Sequence, residues 1–350
     1  MSRLDWSLVK SFAREAAPVP DAEWVSRKFD EFLRRTDPAD AFAVSGVFSL
    51  AHPFYVPKMS DAVADSLAIS VPELGAALMR ARLTASRARQ PNVLVACLPK
   101  SASTFIGQSL MKVLNVPMAV LMSSALSPQT PFSMGITLRE QETDELALIQ
   151  YGNNGLGYVA QHHLRCTPYL CQQLELYNIR PIVTYRNVYD SLVSLDDMMR
   201  KQQQEWAATR DKDAIYFSDG LPSNYCELDD ETRYLILVDR QCAWYLQFFM
   251  SWKRCEALGL VKPLWVSYEE DFLGNKQRLA ERIAAFVGLE FIDSVKLSEV
   301  FSETIQAGHA RFNKGVSGRG RQLPQRVKDR IRASFDLYRD DFDFSEILPD

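Results

Sequence analysis

Lys100, Ser101, Ser103 and Thr104 place one cation and three hydroxyls within five positions. Before them, residues 93–97 (VLVAC) form a continuous apolar run rich in β-branched residues, as in a central parallel strand. Pro99 ends that run, and residues 106–114 carry apolar side chains at helical spacing. A strand–loop–helix junction aims unpaired backbone N–H groups and a helix dipole at one point. With the lysine and the hydroxyls added, the loop suits an oxyanion such as phosphate or sulfate. It is not a Walker A loop, because GxxxxGK[ST] does not occur. An ordinary strand-to-helix turn with a solvated lysine fits the same residues, so other segments must decide.

Three more segments bear on that choice. Arg186 follows the strand-like run RPIVTY, at the end where open α/β sheets bind ligands. Ser194 comes eight positions later, about two helical turns on. A guanidinium fork and a hydroxyl so placed can bracket one phosphate; an arginine capping carbonyls and a serine facing solvent is the plainer alternative. Residues 308–321 hold Arg311, Lys314, Arg319 and Arg321 among Gly315, Gly318 and Gly320. Glycines let a backbone wrap closely round an anion; a solvated basic loop has the same composition. In YVAQHHLR, strand alternation puts His162 and His163 on opposite faces, so only one faces a ligand. An imidazole there can take a hydroxyl proton near neutral pH.

In this order the segments resemble the sulfotransferase family that uses 3′-phosphoadenosine 5′-phosphosulfate. LPKSASTF is similar to its phosphosulfate loop, usually PKSGTTW, and TYRNVYDSLVS to its 3′-phosphate motif. WVSYEED resembles the strand whose Tyr contacts the adenine, and RFNKGVSGRG the late R/K-K-G-x-x-G segment. The four motifs span residues 93–321; the first 90 residues are not covered. The resemblance implies an α/β fold with a central parallel sheet flanked by helices and a P-loop-like strand–loop–helix. It implies that Lys100, Ser101, Ala102, Ser103 and Thr104 form the loop around the 5′-phosphosulfate of this co-substrate. Arg186 and Ser194 would hold the 3′-phosphate, Phe105 and Tyr268 would contact the adenine, and Lys314 and Gly315 would close over the 3′-phosphate with Arg319 as helper. Alignment with the family's K-x-H-L-P pattern picks His163 over His162 as base, with Glu140 and Glu142 as remote substitutes, and makes Lys100 the group that stabilises the leaving bisphosphate. Three positions depart from the pattern: Ala102 replaces a Gly, Asn313 an Arg that Arg311 or Arg319 would have to replace, and Gln161 a Lys. A nucleotide-dependent kinase or other phosphoryl transferase is one alternative, disfavoured by the missing Walker A loop. A non-catalytic nucleotide-binding protein of the same fold is the other, and the Ala102 and Asn313 departures favour it.

The elements that must position these residues follow from the remaining chain. At 350 residues, 47% hydrophobic and 24% charged, the chain can bury a large core. A net charge of −4 argues against nucleic acid held by bulk electrostatics. The N-terminus lacks an apolar signal core and no apolar run is long enough to span a bilayer, so a cytoplasmic protein is expected. The six cysteines show no CxxC pairing and read as reduced, mostly buried thiols; a Cys166–Cys171 disulfide has no positive support. Residues 1–90 are expected to form a mainly helical extension packed on the core, with helices over 21–35 and 60–85, and residues 91–350 the α/β domain. Further strands are expected at 158–163, 180–185 and 263–268. Helices are expected from a capping box at Thr137 and Glu140 to 151, then at 167–177, 188–205, 229–258, 275–287, 293–306 and 324–338. No metal is expected. The acceptor is a small molecule, glycan or lipid bearing a hydroxyl. Segments 42–58, 117–136 and 206–227, rich in Phe, Tyr, Met and Pro, lean towards apolar acceptor surface, although packing on the core is the simpler use of 42–58. Oligomeric state is open.

Overall fold

Asn92–Cys97 is buried at every position because it forms β1, the middle strand of a parallel sheet with helices on both faces. The other strands are β2 (Met118–Ala119), β3 (Tyr158–His162), β4 (Ile179–Tyr185) and β5 (Leu264–Ser267), in the order β2–β3–β1–β4–β5. The computed structural model describes residues 4–16, 19, 21–52, 55–122, 142–209, 221–222, 224–303 and 316–349. β1 pairs with β3 through Val95↔Gln161 and with β4 through Val95↔Ile182 and Cys97↔Thr184. The chain is an α/β protein, as its alternation of apolar strands and helices predicts.

One face of the sheet presents Val93, Val95, Val159, Ile182 and Val266 to the helices Ser103–Leu114, Lys276–Val287 and Ser294–Ser302. Ile106, Leu110, Leu279, Ile283, Leu297 and Phe301 complete that core with no exposed surface. The other face carries Leu94, Ala96 and Val183, also fully buried. Near β5, Tyr185 and Trp265 meet edge to face at 5.9 Å, and Phe249 of the long helix Asp230–Ala257 packs on Trp265 at 5.6 Å.

Connections explain where a ligand can enter. From β1 the chain moves towards the β3 side; from β4 it moves towards β5. Right-handed crossovers in opposite directions put their helices on opposite faces. The carboxyl ends of β1 and β4 therefore part at a switch point, where open parallel sheets form a crevice.

The chain divides into two compact units, one of residues 1–88, 120–136 and 143–154, the other of 89–119, 137–142 and 155–350. The first is helical. Trp6–Ala16, Ala22–Leu33 and Pro38–Ala51 enclose a small aromatic core in which Phe29 and Phe48 stack at 4.1 Å. In segment 42–58, Val44, Phe48, Ala51 and Tyr55 are buried in this unit's own small core, while Phe42 and Val56 are exposed. Residues 60–85 resolve into two helices, Asp61–Leu67 and Val71–Arg87, the second opened by a full capping box of Ser70 and Glu73.

Several boundaries differ from the sequence reading. The helix expected from Thr137 begins at Glu145, capped by Asp144; residues 142–144 are not helical, and Thr137 and Glu140 lie outside the described residues. β2 was hidden in a proline-rich stretch because two residues give no periodicity. Tyr268 belongs not to β5 but to a π-helical turn, Tyr268–Gly274, capped by Ser267 and by Asp271 accepting from the Ser267 N–H. Among the described residues no single helix is long and apolar enough to cross a membrane.

His162, on the β1–β3 ladder opposite Ala96, is buried. Burial pushes its pKa down from 6.5 to about 4. A depressed folded pKa means that the unfolded chain binds the proton more readily. This contribution is complete above pH 6.5 and is lost as pH falls towards 4. His162→Gln should therefore flatten the acid limb of a melting-temperature profile measured from pH 7 to pH 4. An acid limb as steep as that of the wild type would contradict this account.

Candidate functional site

Past β1 the chain keeps its hydrogen-bonding to β4 for one more step, Leu98 N–H donating to Thr184 O at 3.0 Å. Pro99 then ends the ladder. Two non-glycine residues turn the loop in the left-handed region, Lys100 (φ 67) and Ala102 (φ 63). Ala102 is the N-cap of α6 (Ser103–Leu114), which has no side-chain cap. The N–H groups of its first turn lack helical partners and open into the loop. The Cβ that Ala102 carries is accommodated in a left-handed position at a strain of about 1 kcal/mol.

The loop's hydroxyls divide by task. Ser101 is 1% exposed; its Oγ–H donates to Leu98 O at 2.6 Å. A hydroxyl has one hydrogen, so the 2.7 Å contact between Ser101 Oγ and Thr184 Oγ1 must use the Thr184 proton. Ser101 thus fastens the loop to β4. Ser103 and Thr104 are held from the other side: Gln161 Nε2 donates to Ser103 Oγ at 2.9 Å and to Thr104 Oγ1 at 3.2 Å. Because both oxygens accept, both hydroxyl protons remain available to donate to an anion.

Arg186 follows β4 and is 4% exposed. Its Nη1 donates to Lys100 O at 3.2 Å and its Nη2 to Val316 O at 2.8 Å. Asp190 lies 3.5 Å away and Glu269 3.8 Å. The guanidinium also lies 4.0 Å over the Tyr268 ring. Burial raises the Glu269 pKa, and the charge of Arg186 opposes that rise. Asn187 Oδ1 accepts from the Tyr189 N–H and starts the helix α7 (Val188–Thr209). Ser194 lies two turns along that helix, 2% exposed. Lys100 Nζ reaches Met198 on the same helix at 3.7 Å.

The adenine candidates form a row. Phe105 meets Phe272 edge on at 5.3 Å, Phe272 stacks with Tyr268 at 5.5 Å, and Tyr268 carries Arg186. Phe105 also touches Phe301. The row links the loop to the arginine along the sheet edge.

His163 stands one residue beyond β3. Its Nδ1 is 2.7 Å from Cys97 O, the last carbonyl of β1. A carbonyl only accepts, so Nδ1 carries the proton and Nε2 is the nitrogen with the lone pair. Trp244 sets the ring edge at 6.0 Å. Of the remote carboxylates, Glu142 accepts from Thr167 Oγ1 at 3.3 Å, and Glu140 lies outside the described residues. Lys314, Gly315, Arg311 and Asn313 also lie outside them. Arg319 is described, and its Nη2 binds Asp197 at 2.6 Å on α7.

Sequence reasoning missed the residue that organises this edge. Asp190 Oδ1 accepts from the Gly320 N–H and Oδ2 from the Gly318 N–H, each at 2.6 Å, beside Arg186. Its i+4 spacing from Arg186 was the available signal. The glycines are needed for closeness: a Cβ on Gly320 would lie 2.8 Å from the Tyr189 carbonyl carbon. Asp190 therefore pins the chain that leaves the basic segment against the first turn of α7. The chain matches no protein-family model and no curated protein, so the site rests on its own geometry.

Two stability effects follow. Ala102→Gly removes the left-handed strain and should raise the unfolding free energy by up to about 1 kcal/mol in urea titrations; a loss of stability would refute the strain. Gly320→Ala forces the backbone off Tyr189 and should cost about 1–3 kcal/mol in the same titration.

Proposed function

We propose that the chain transfers a sulfuryl group from 3′-phosphoadenosine 5′-phosphosulfate to an acceptor hydroxyl. The observation that carries this reading is His163 Nδ1 bound to the carbonyl of Cys97. It ties the imidazole, one residue beyond β3, to the last carbonyl of β1, the strand that feeds directly into the Lys100 loop, which supports Nε2 as the base. The PKSAST-like loop, the Arg186–Ser194 spacing and the late KGVSGRG segment add support from the sequence.

In this reading Ser103, Thr104 and the first-turn N–H groups of α6 bind the 5′ end of the donor. Arg186, Ser194 and Lys314 with Gly315 receive its 3′-phosphate, and Phe105 and Tyr268 border its base. Nε2 of His163 takes the acceptor's hydroxyl proton as that oxygen attacks sulfur. The bond from sulfur to the bridging oxygen breaks, and its electron pair leaves on adenosine 3′,5′-bisphosphate. Lys100 stabilises the charge that gathers on that oxygen. Positioning and electrostatics supply most of the rate, as in phosphoryl transfer. The composition of segments 117–136 and 206–227, rich in Phe, Tyr, Met and Pro, favours an acceptor with apolar surface.

Isothermal titration with adenosine 3′,5′-bisphosphate and with ATP–Mg²⁺ tests the donor class, and a labelled-donor assay against alcohols, phenols and sugars tests turnover. The bisphosphate should bind and ATP–Mg²⁺ should not; the reverse preference would overturn the proposal in favour of a kinase. Lys100→Ala and His163→Ala should each cut turnover at least about 100-fold while bisphosphate still binds to His163→Ala. Arg186 is the poorer probe, because its loss also removes contacts to the loop, to Asp190 and to Val316.

A further inference from the structure

Outside the candidate site, three thiols converge from separate parts of the second unit. Cys166 lies in the loop after β3, Cys171 in the first turn of the helix Pro168–Leu176, and Cys255 in the last turn of Asp230–Ala257. Each is at most 5% exposed, and their sulfurs all lie within 4.8 Å of one another. The sulfurs of Cys166 and Cys171 are 3.4 Å apart. That far exceeds the roughly 2.05 Å of a disulfide, so these are free thiols.

The cluster is built rather than incidental to a flexible loop. Cys166 N–H donates to Ser251 Oγ at 3.0 Å, Trp252 Nε1 to Leu164 O at 3.0 Å, and Cys255 Sγ to Cys166 O at 3.8 Å. One face of the long helix thus holds the loop and aims its own thiol at the other two.

We propose that Cys166, Cys171 and Cys255 form a binding site for a single soft monovalent d¹⁰ cation, Cu(I), in trigonal thiolate coordination. Thiolate sulfur selects soft metals such as Cu(I) and zinc. A structural zinc site needs a fourth ligand, and among the described residues the group holds no His, Asp, Glu or fourth Cys. Three sulfurs at metal–sulfur bonds of about 2.3 Å stand about 4 Å apart in a trigonal plane. Cys166 and Cys171 reach that spacing by parting about half an ångström, within reach of side-chain torsions, and every other pair of sulfurs lies within 4.8 Å. The site does not depend on sulfuryl transfer.

The test is an anaerobic titration of the reduced full-length chain with Cu(I) against a chromophoric Cu(I) chelator. The wild type should take up one Cu(I) per chain. Cys171→Ser and Cys255→Ser should weaken uptake at least about tenfold, since loss of a ligand exceeds the effect of losing an outer-shell partner. Cys242→Ser, equally buried but outside the trio, should bind as the wild type does. X-ray absorption of the Cu(I)-loaded wild type needs no variant and should show three sulfur neighbours. Unchanged uptake by Cys255→Ser, two sulfur neighbours, or displacement of Cu(I) by equimolar Zn(II) would each overturn the assignment.

Discussion

A guanidinium taken out of water must be met by acceptors, or its burial costs several kcal/mol. Arg186 is in that position at the carboxyl end of β4. Its partners come from three distant parts of the sequence: the Lys100 carbonyl in the loop after β1, Glu269 in the π-helical turn after β5, and Val316 within the basic segment. Asp190, one turn into its own helix, supplies the nearest full counter-charge. The edge of the sheet is assembled by meeting the demands of this one side chain. An anion that replaced some of these acceptors would find a cation already desolvated and already fixed.

Asp190 extends the same logic. Asp190 accepts two short backbone N–H bonds, one on each oxygen, and faces an arginine. The glycines at 318 and 320 make that possible, one by turning in the left-handed region and the other by lying against Tyr189 without a Cβ. The glycines that appear in the sequence to be a means of wrapping a ligand are thus partly a means of docking the chain on α7.

Hydrogen-bond direction separates the loop residues by role. Ser101 gives its proton to Leu98 and takes one from Thr184, so it is part of the scaffold. Ser103 and Thr104 take protons from Gln161 and keep their own to give. Gln161 sits on the strand face that reaches the loop, one position before the buried His162. The same alternation that sends His162 into the core puts Gln161 beside α6.

The sequence by itself determined the α/β class, the apolar strands β1, β3, β4 and β5, most of the helices and the loop from Lys100 to Thr104. Those features depend on local periodicity and on residues adjacent in the chain, and local chemistry is what a sequence displays. It also marked Arg186 through its place at a strand end and put His162 and His163 on opposite faces of a strand, the family resemblance alone choosing His163. Only the tertiary structure decided which atoms those residues meet. The strand order brings Cys97 beside both Thr184 and His163, so it alone fixes the imidazole proton on Nδ1. The start of the helix at Glu145, the role of Asp190 and the meeting of Cys166 and Cys171 with Cys255 escaped the pattern for the same reason. Each depends on a contact across many residues or on a cap with no periodic signature, and such contacts are set by packing.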